Sequence, residues 1–443
     1  MKRLIGNVRA YSWGSVSAIP GLLGLPPADH PVAEVWFGAH PDASAYLTAD
    51  TAALFVRNED LYTTPERVKS STGNSEVSGV RRAQGVETGV DTTVCAAAQC
   101  PEDETLRAYI ARRPTQILGQ DVAEHFHGEL PYLLKLLAAD QPLSLQVHPS
   151  LEQAQEGFER EERQGVPRSS HTRNYKDANH KPELIYALSP FFALAGFRAP
   201  RRILSVLEGV NTPVVDAVAQ LIRSRGVRPA FEFLLSDPSA RMPEAISAVA
   251  QGCQSRRGVS PSRASDDVVQ VLASKYPHDP GVIASLLLNP VLLRPGEALF
   301  LPAGMVHSYI SGLGVEIMAN SDNVLRAGLT NKHVDVPELL RIVSTQAAPP
   351  IRIAPEIESR YVSTFYAPVD DFQLSSIRLT DASIFVPIPG SGPRTLVCVE
   401  GAAQVSTHEE TMALNVGQSL FVDSSEGAIV MRGFGHLVQA TVA

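Results

Sequence analysis

Along most of this chain the apolar positions come in short runs that a turn cuts off before a helix could form. Leu143-Ser144-Leu145-Gln146-Val147-His148 alternates strictly, so Leu143, Leu145 and Val147 share one strand face and Ser144, Gln146 and His148 the other. Leu292 and Leu293 precede a Pro295-Gly296 turn, and a second apolar run, Ala298 to Leu301, follows it. Gly304 then permits a sharp bend, and His307 comes soon after. The stretch from Asp177 to Leu188 begins polar and ends as an apolar strand, with Glu183 at the junction. Residues 1–50 read as strands and turns. From about 350 onward, short alternating strands with Gly and Pro turns predict a second, C-terminal β-barrel. There, Val416 to Val422 echoes the strand at 296–301 but runs into Asp423 with no matching histidine, so that copy is expected to hold no metal.

Between 200 and 289 the period changes. Ile203, Leu204 and Leu207, then Val214, Val218, Leu221 and Ile222, recur at helical spacing and predict a helical subdomain, with 254–266 as a loop inside it. Pro101-Glu102-Asp103-Glu104 sets negative charge at the positive end of another helix, whose patterning continues to about His127. A further helix starts at Pro149-Ser150-Leu151, and its charge run at 159–163 reads as a solvated face. Residues 56–100 are rich in Ser, Thr, Gly, Val and charge without a period, and are expected to form a long loop. The fold class is therefore mainly β with α insertions.

Composition narrows the function. With 443 residues, 44% hydrophobic and 19% charged, the chain has ample core for two or three domains. A net charge of −9 speaks against nonspecific binding of nucleic acid or anionic membrane. No run approaches the ~18 apolar residues of a membrane span. The stretch after Lys2 and Arg3 is too short for a signal-peptide core. Cys95, Cys100, Cys253 and Cys398 form no Cys-x-x-Cys pair, which fits reduced thiols in a cytoplasm.

The polar face of 144, 146 and 148 is the first chemical clue. Pointing it inward costs free energy unless those groups bond a metal, a ligand or each other. Gln146, His148, Glu183 and His307 together make a mixed oxygen and nitrogen set that suits zinc with a position left open; two histidines and one carboxylate also permit iron. Gln146 is the weakest donor, and a strand hydrogen bond is its bland alternative. Trp13 and Trp36 read as core rather than as sugar platforms. The spacing Gly296, Pro302, Gly304, His307 resembles the second motif of the cupins, small β-barrels that hold a divalent metal.

Four ordered blocks carry a more specific resemblance. They are Tyr11 to Ser15 with Ala33 to Pro41; Leu130 to Lys135 leading into Gln146-Val147-His148-Pro149; Tyr175 to Glu183; and Glu316 to Thr330. Between about 4 and 340 the chain resembles the type I phosphomannose isomerases, and Asn179-His180-Lys181-Pro182-Glu183 and Ser321-Asp322-Asn323-Val324-Leu325-Arg326-Ala327-Gly328 are its most specific signatures. The resemblance implies a zinc-containing cupin-type β-barrel with one Zn²⁺ per chain on Gln146, His148, Glu183 and His307. It puts the family's active-site arginine on Arg326. Asn331 stands where members often carry proline, and 55–100 looks like an expansion of a short connection.

The implied activity interconverts mannose 6-phosphate and fructose 6-phosphate through an enediol(ate), supplying GDP-mannose synthesis. A base must reach the C–H beside the carbonyl. Lys181, placed by alternation on the same face as Glu183, is one candidate; Glu316 and a zinc-bound water are others. Arg326 is expected at the reacting end of the sugar, held by Glu316 or Asp322. Lys135, Lys181, Arg326 and Lys332 supply a positive patch for an anionic substrate; Ser144, Tyr309 and Asp322 complete the candidate substrate set. The rival readings are another metal-dependent cupin, such as a phosphoglucose isomerase or an iron oxygenase, and a non-catalytic sugar-binding cupin, which has no use for Lys135, Lys181, Asp322 and Arg326 beside its metal.

The expected organisation is a catalytic cupin-type domain formed by 1–199 (with the 56–100 insertion) and 290–345, the helical subdomain at 200–289, and the C-terminal β-barrel at 350–443. A cytoplasmic monomer is expected, with a small sugar phosphate as its partner and neither nucleic acid nor membrane.

Overall fold

The computed structural model describes residues 1–62 and 104–443, so most of the expected 56–100 loop lies outside the described residues. Its opening is not loop-like in burial: Val56 and Leu61 are both part of the core. The chain is mainly β with helical insertions, as expected, and among the described residues its strands form two sheets of eleven and nine strands.

The eleven-stranded sheet is organised around one long strand, His307–Ala319. The second half of that strand pairs with Tyr132–Ala139, setting Glu316 opposite Lys135, and on its other edge with Glu183–Ala187. Its first residues pair instead with Phe191–Phe197, and His307 lies opposite Gln146. One strand can serve both sets because its register shifts between Tyr309 and Ser311. Gly312 then takes φ +131°, and a Cβ there would come within 2.7 Å of the Phe191 ring. The shift moves the alternation by one residue. Odd positions 307 and 309 and even position 316 therefore face the same interior, where the Tyr309 hydroxyl donates to Glu316 Oε1 at 2.9 Å. The predicted Pro295-Gly296 turn is closed by Glu297 N–H donating to Arg294 O at 3.0 Å, with Gly296 at φ +92° as such a turn requires.

The helical subdomain is built on helices Pro200–Leu207, Pro213–Arg225, Val227–Ser236, Pro243–Ser255 and Arg263–Lys275. Proline opens three of them, where its missing N–H costs nothing. Val218, Phe231, Val269 and Leu272 pack in one continuous core with Leu145, Val147 and Leu325, so the helices buttress the strands that carry the site. The loop expected at 254–266 is shorter than the sequence implied, because helix runs to Ser255 and resumes at Arg263. Arg256 closes the gap: its buried guanidinium pairs with Asp266 and donates to the Val206 carbonyl at 2.6 Å.

The charge run at 159–163 also departs from expectation. Within helix Leu151–Arg163, Glu161 is buried and accepts from Asn174 N–H at 3.0 Å and Tyr175 N–H at 2.9 Å. A loop that turns back against a helix needs acceptors for its amides, and this carboxylate supplies them.

The nine-stranded sheet centres on Gln373–Ile388, Ile429–Thr441 and Arg394–Ser406. Lys2–Ile5 and Tyr46–Thr48 join it, with Lys2 opposite Phe421 and Arg3 opposite Thr48. Tyr132, Leu184 and Val315 from one sheet and Phe365, Leu374 and Val438 from the other share a core. Among the described residues no helix is long and apolar enough to cross a membrane.

Candidate active site

Three strand ends bring the metal candidates together. His148 follows Leu145–Val147, Glu183 opens Glu183–Ala187, and His307 opens the long strand. Gly304, at φ +77°, donates its N–H to His148 O at 2.8 Å, so the bend before His307 is tied to the first histidine. Ligand atoms of His148, Glu183 and His307 lie within 4.8 Å of one another, and all three residues are buried. Glu183 sits between the rings: its Oε1 is 3.2 Å from His148 Nε2 and its Oε2 is 3.2 Å from His307 Nε2. Each ring spends its other nitrogen on a main-chain carbonyl, His148 Nδ1 on Asn323 O at 2.7 Å and His307 Nδ1 on Met305 O at 3.1 Å. That assignment leaves both Nε2 lone pairs aimed inward, the usual arrangement for histidines that bind a metal. His148 Nε2 has no hydrogen-bond partner although its residue is 1% exposed. A buried nitrogen left unpaired among a carboxylate and a second imidazole fits a divalent cation of zinc type. Gln146 donates its Nε2 to Ser144 Oγ at 3.3 Å, leaving the amide oxygen as the end available to such a cation.

Electrostatics point the same way. Burial pushes His148 down to about 4, outweighing Glu183, so its ring is neutral at physiological pH. Burial works against charge on Glu183, but His148 and Lys181 overcome it and hold the carboxyl well below its usual range. Beside the three lies a tight inner cavity of about 50 Å³ that Glu34, Lys135, Lys181, Glu183, Tyr309 and Glu316 help to line. It holds one more carboxylate than ammonium, so a dication would turn its net charge positive. Lys135 Nζ is 2.9 Å from Glu316 Oε2 and 5.0 Å from the centre of the Trp36 ring. Burial opposes the Lys135 ammonium, yet Glu316, Glu34 and Glu183 keep its pKa raised. Burial raises Glu316, with Lys135 pulling the other way. Lys181 Nζ stands 3.2 Å from Glu183 Oε1, as alternation from 181 to 183 implies.

The inner cavity adjoins a wider pocket of about 730 Å³, and Glu34, Lys135, Leu143, Gln146 and Lys181 line both. Ser144, Asp322, Arg326 and Lys332 line the wider pocket; Tyr309 and Glu316 line only the inner cavity. Arg326, on strand Leu325–Gly328 opposite Gln146, makes no ion pair among the described residues, contrary to the expectation that Glu316 or Asp322 would hold it. Glu316 is committed to Lys135 and Tyr309, and Asp322 Oδ1 faces His40 Nε2 at 3.5 Å. Burial lowers Arg326, and partial burial together with Arg326 and Lys176 lowers Lys332. Arg326, Lys332 and Lys176 form a cationic wall of the wider pocket, which Asp279 and Asp322 also line. Trp13, read as core, is only half-buried, lines the wider pocket and stacks on Tyr11 at 5.7 Å; Trp36 is buried but also reaches the pocket.

Sequence reasoning gave no role to His40, Asp177 or Asn323. Asp42 N–H donates to His40 Nδ1 at 3.2 Å, which places the ring proton on Nε2, toward Asp322. Asp177 accepts from Ser321 Oγ at 2.7 Å and Asp322 N–H at 2.8 Å. All three lie inside the blocks already singled out, but only the folded loops bring out what they hold.

Residues 89–200 match the family model described as "Phosphomannose isomerase type I, catalytic domain". Over 458 aligned residues the chain is 34% identical to the mannose-6-phosphate isomerase of Escherichia coli (strain K12), covering 99% of each sequence. In three dimensions it is similar to mannose 6-phosphate isomerase from Salmonella typhimurium bound to its substrate fructose 6-phosphate and zinc, with TM-score 0.80, 34% identity and 100% and 99% of the two chains covered. A crystal structure of mannose 6-phosphate isomerase bound with zinc and yttrium matches with the same TM-score, identity and coverage.

Proposed function

The chain belongs to the type I mannose-6-phosphate isomerases, and on that footing we propose that it interconverts mannose 6-phosphate and fructose 6-phosphate with zinc on Gln146, His148, Glu183 and His307. The observation that carries the reading is the buried trio of His148, Glu183 and His307, both rings oriented through Nδ1, beside an inner cavity that adjoins a wider pocket lined by Lys176, Arg326 and Lys332. Zinc bound there supplies Lewis-acid polarisation of the sugar's oxygens.

The chain's own residues divide the remaining work. Isomerisation moves a proton between two adjacent carbons, so one group must reach both. Lys181 lines the inner cavity and the wider pocket alike and sits against Glu183, which supports it as the proton carrier. Glu316 is pinned between Lys135 and Tyr309 and serves as a fixed partner in the same cavity, holding Lys135 toward the substrate. Arg326 lies in the wider pocket, near Lys332 and Lys176, and is not part of the inner lining. That position favours the phosphate over the reacting carbons, a shift from the sequence-based expectation. Ser144, Asp322 and Lys332 complete the substrate wall. Cys253 and Cys398 are buried and unpaired, which agrees with a cytoplasmic setting.

A coupled assay on mannose 6-phosphate tests the reading. Turnover should vanish on chelation and return with zinc. Undiminished turnover in protein shown by metal analysis to be zinc-free would overturn it.

A further inference from the structure

The polar residue most completely enclosed beside the site is Asn323, whose side chain touches neither cavity and is 0% exposed. Its amide is saturated. Oδ1 accepts from Lys176 N–H at 2.8 Å and Asp177 N–H at 3.3 Å. Nδ2 donates to Asp177 O at 2.8 Å, Asn179 O at 2.9 Å and Asp177 Oδ1 at 3.1 Å. The pattern fixes the amide's orientation, since a flipped group would set NH₂ against two N–H donors and oxygen against three acceptors. Only a side chain with a donor and an acceptor on one short stem satisfies both sides. The same residue's main-chain oxygen takes the Nδ1 proton of His148 at 2.7 Å. Its own N–H donates to Ser321 Oγ at 3.2 Å, and Ser321 Oγ in turn donates to Asp177 Oδ1.

We propose that Asn323 is a positioning residue that couples the metal to the substrate wall. Its amide holds the 176–179 turn, which sets Lys176 in the pocket and leads to Lys181 and Glu183; its carbonyl sets the rotation of the His148 ring. Asp322 precedes it and Arg326 follows three residues later, so one fixed point registers the metal ligand, the turn and the cationic wall. A partner that orients a metal-binding histidine is commonly worth about 10–100-fold in metal affinity. Here the same residue also governs substrate binding.

The inference rests on the metal reading of His148, and the test separates the two. Zinc affinity of metal-free protein is measured by competition with a chromogenic chelator, beside KM for mannose 6-phosphate and the thermal midpoint of the metal-free form. Asn323→Asp keeps the acceptor but sets a carboxylate against two carbonyls and Asp177. It should weaken zinc by at least about tenfold and raise KM several-fold. Asn323→Ser, which keeps a short donor and acceptor, should lose less of both and decides the matter if the aspartate variant fails to fold. A folded variant that binds zinc and substrate like wild type, its thermal midpoint alone lowered, overturns the role. So does weakened zinc affinity with KM unchanged. A wild-type protein that binds no zinc overturns the site reading itself.

Discussion

Lys135 and Glu316 face each other across neighbouring strands, 2.9 Å apart, with side chains 6% and 4% exposed. Neither charge has water to fall back on. Losing one partner from such a pair strands the other, at a cost of about 3–5 kcal/mol, whereas losing both can be close to neutral. Lys135→Met should therefore destabilise strongly in urea unfolding. Adding Glu316→Gln should recover part of the loss while activity stays low, because Lys135 lines the substrate pocket. If the single variant unfolds like wild type, the pair is not the buried unit described here.

His148→Ala and His307→Ala should each lose zinc and turnover together, since each removes one Nε2 from the trio around Glu183. Metal analysis of the purified variants decides it. Full zinc occupancy in both would remove the two histidines from the ligand set.

Arg326→Lys separates the two ends of the sugar. Loss of a phosphate grip present in ground and transition states raises KM, while loss of transition-state stabilisation lowers kcat. From the outer placement of Arg326 we expect KM to rise about tenfold, the factor that roughly 1.4 kcal/mol represents, with kcat little changed. A fall confined to kcat would return Arg326 to the reacting end, where the sequence alone had put it.

Acid should weaken the metal-free protein along a definable slope. Burial lowers His148 to about 4 and, with Arg378 adding to it, His436 to about 3, from an unfolded value of 6.5. As pH falls from 6.5 toward 4, the unfolded chain takes up protons that the folded chain refuses. Stability must fall with pH, by up to about 1.4 kcal/mol per unit for each such proton. His436, hydrogen-bonded to Ser376 at 2.9 Å, lies away from the metal candidates and isolates one contribution. His436→Gln should flatten the slope measured by chemical denaturation between pH 4 and 6.5, and an unchanged slope would show that His436 does not supply it. Zinc binding should weaken over the same range, because its histidine ligands must be neutral.

Much of the candidate site could be read from the sequence because its proposed ligands are rare residue types at strand ends. His148, Glu183 and His307 stand at junctions where an apolar run starts or stops, and Lys181 follows from simple alternation. Asn323 lies within one of the four blocks, but its type and spacing assign it no role. An amide that bridges Lys176, Asp177 and Asn179 declares itself only when two distant loops meet. Glu161 departs from the solvated-face expectation for a related reason, since a charged run looks solvated until a neighbouring loop needs its carboxylate. Tyr309 and Glu316 fall on opposite faces of an ideal strand. The register shift between Tyr309 and Ser311 puts them on one face, and no periodicity argument finds such a shift. Arg326 was legible as a site residue but not as an unpaired one.

The pairing of Lys2 with Phe421 and of Leu4 with Ser419 has a temporal side. Leu4 and Ser419 stand 415 residues apart in the chain. Loop closure across the intervening chain is slow and adds little until other contacts have shortened it. The helical insertion, the sheet that carries the site and the nine-stranded sheet's strands beyond Glu356 can form from nearer segments, whereas Lys2–Ile5 must wait for its distant partner. Until then its unpaired edges are open to wrong partners. Refolding from denaturant should accordingly end in a late step in which Lys2–Ile5 docks, after the proposed metal ligands have already gathered.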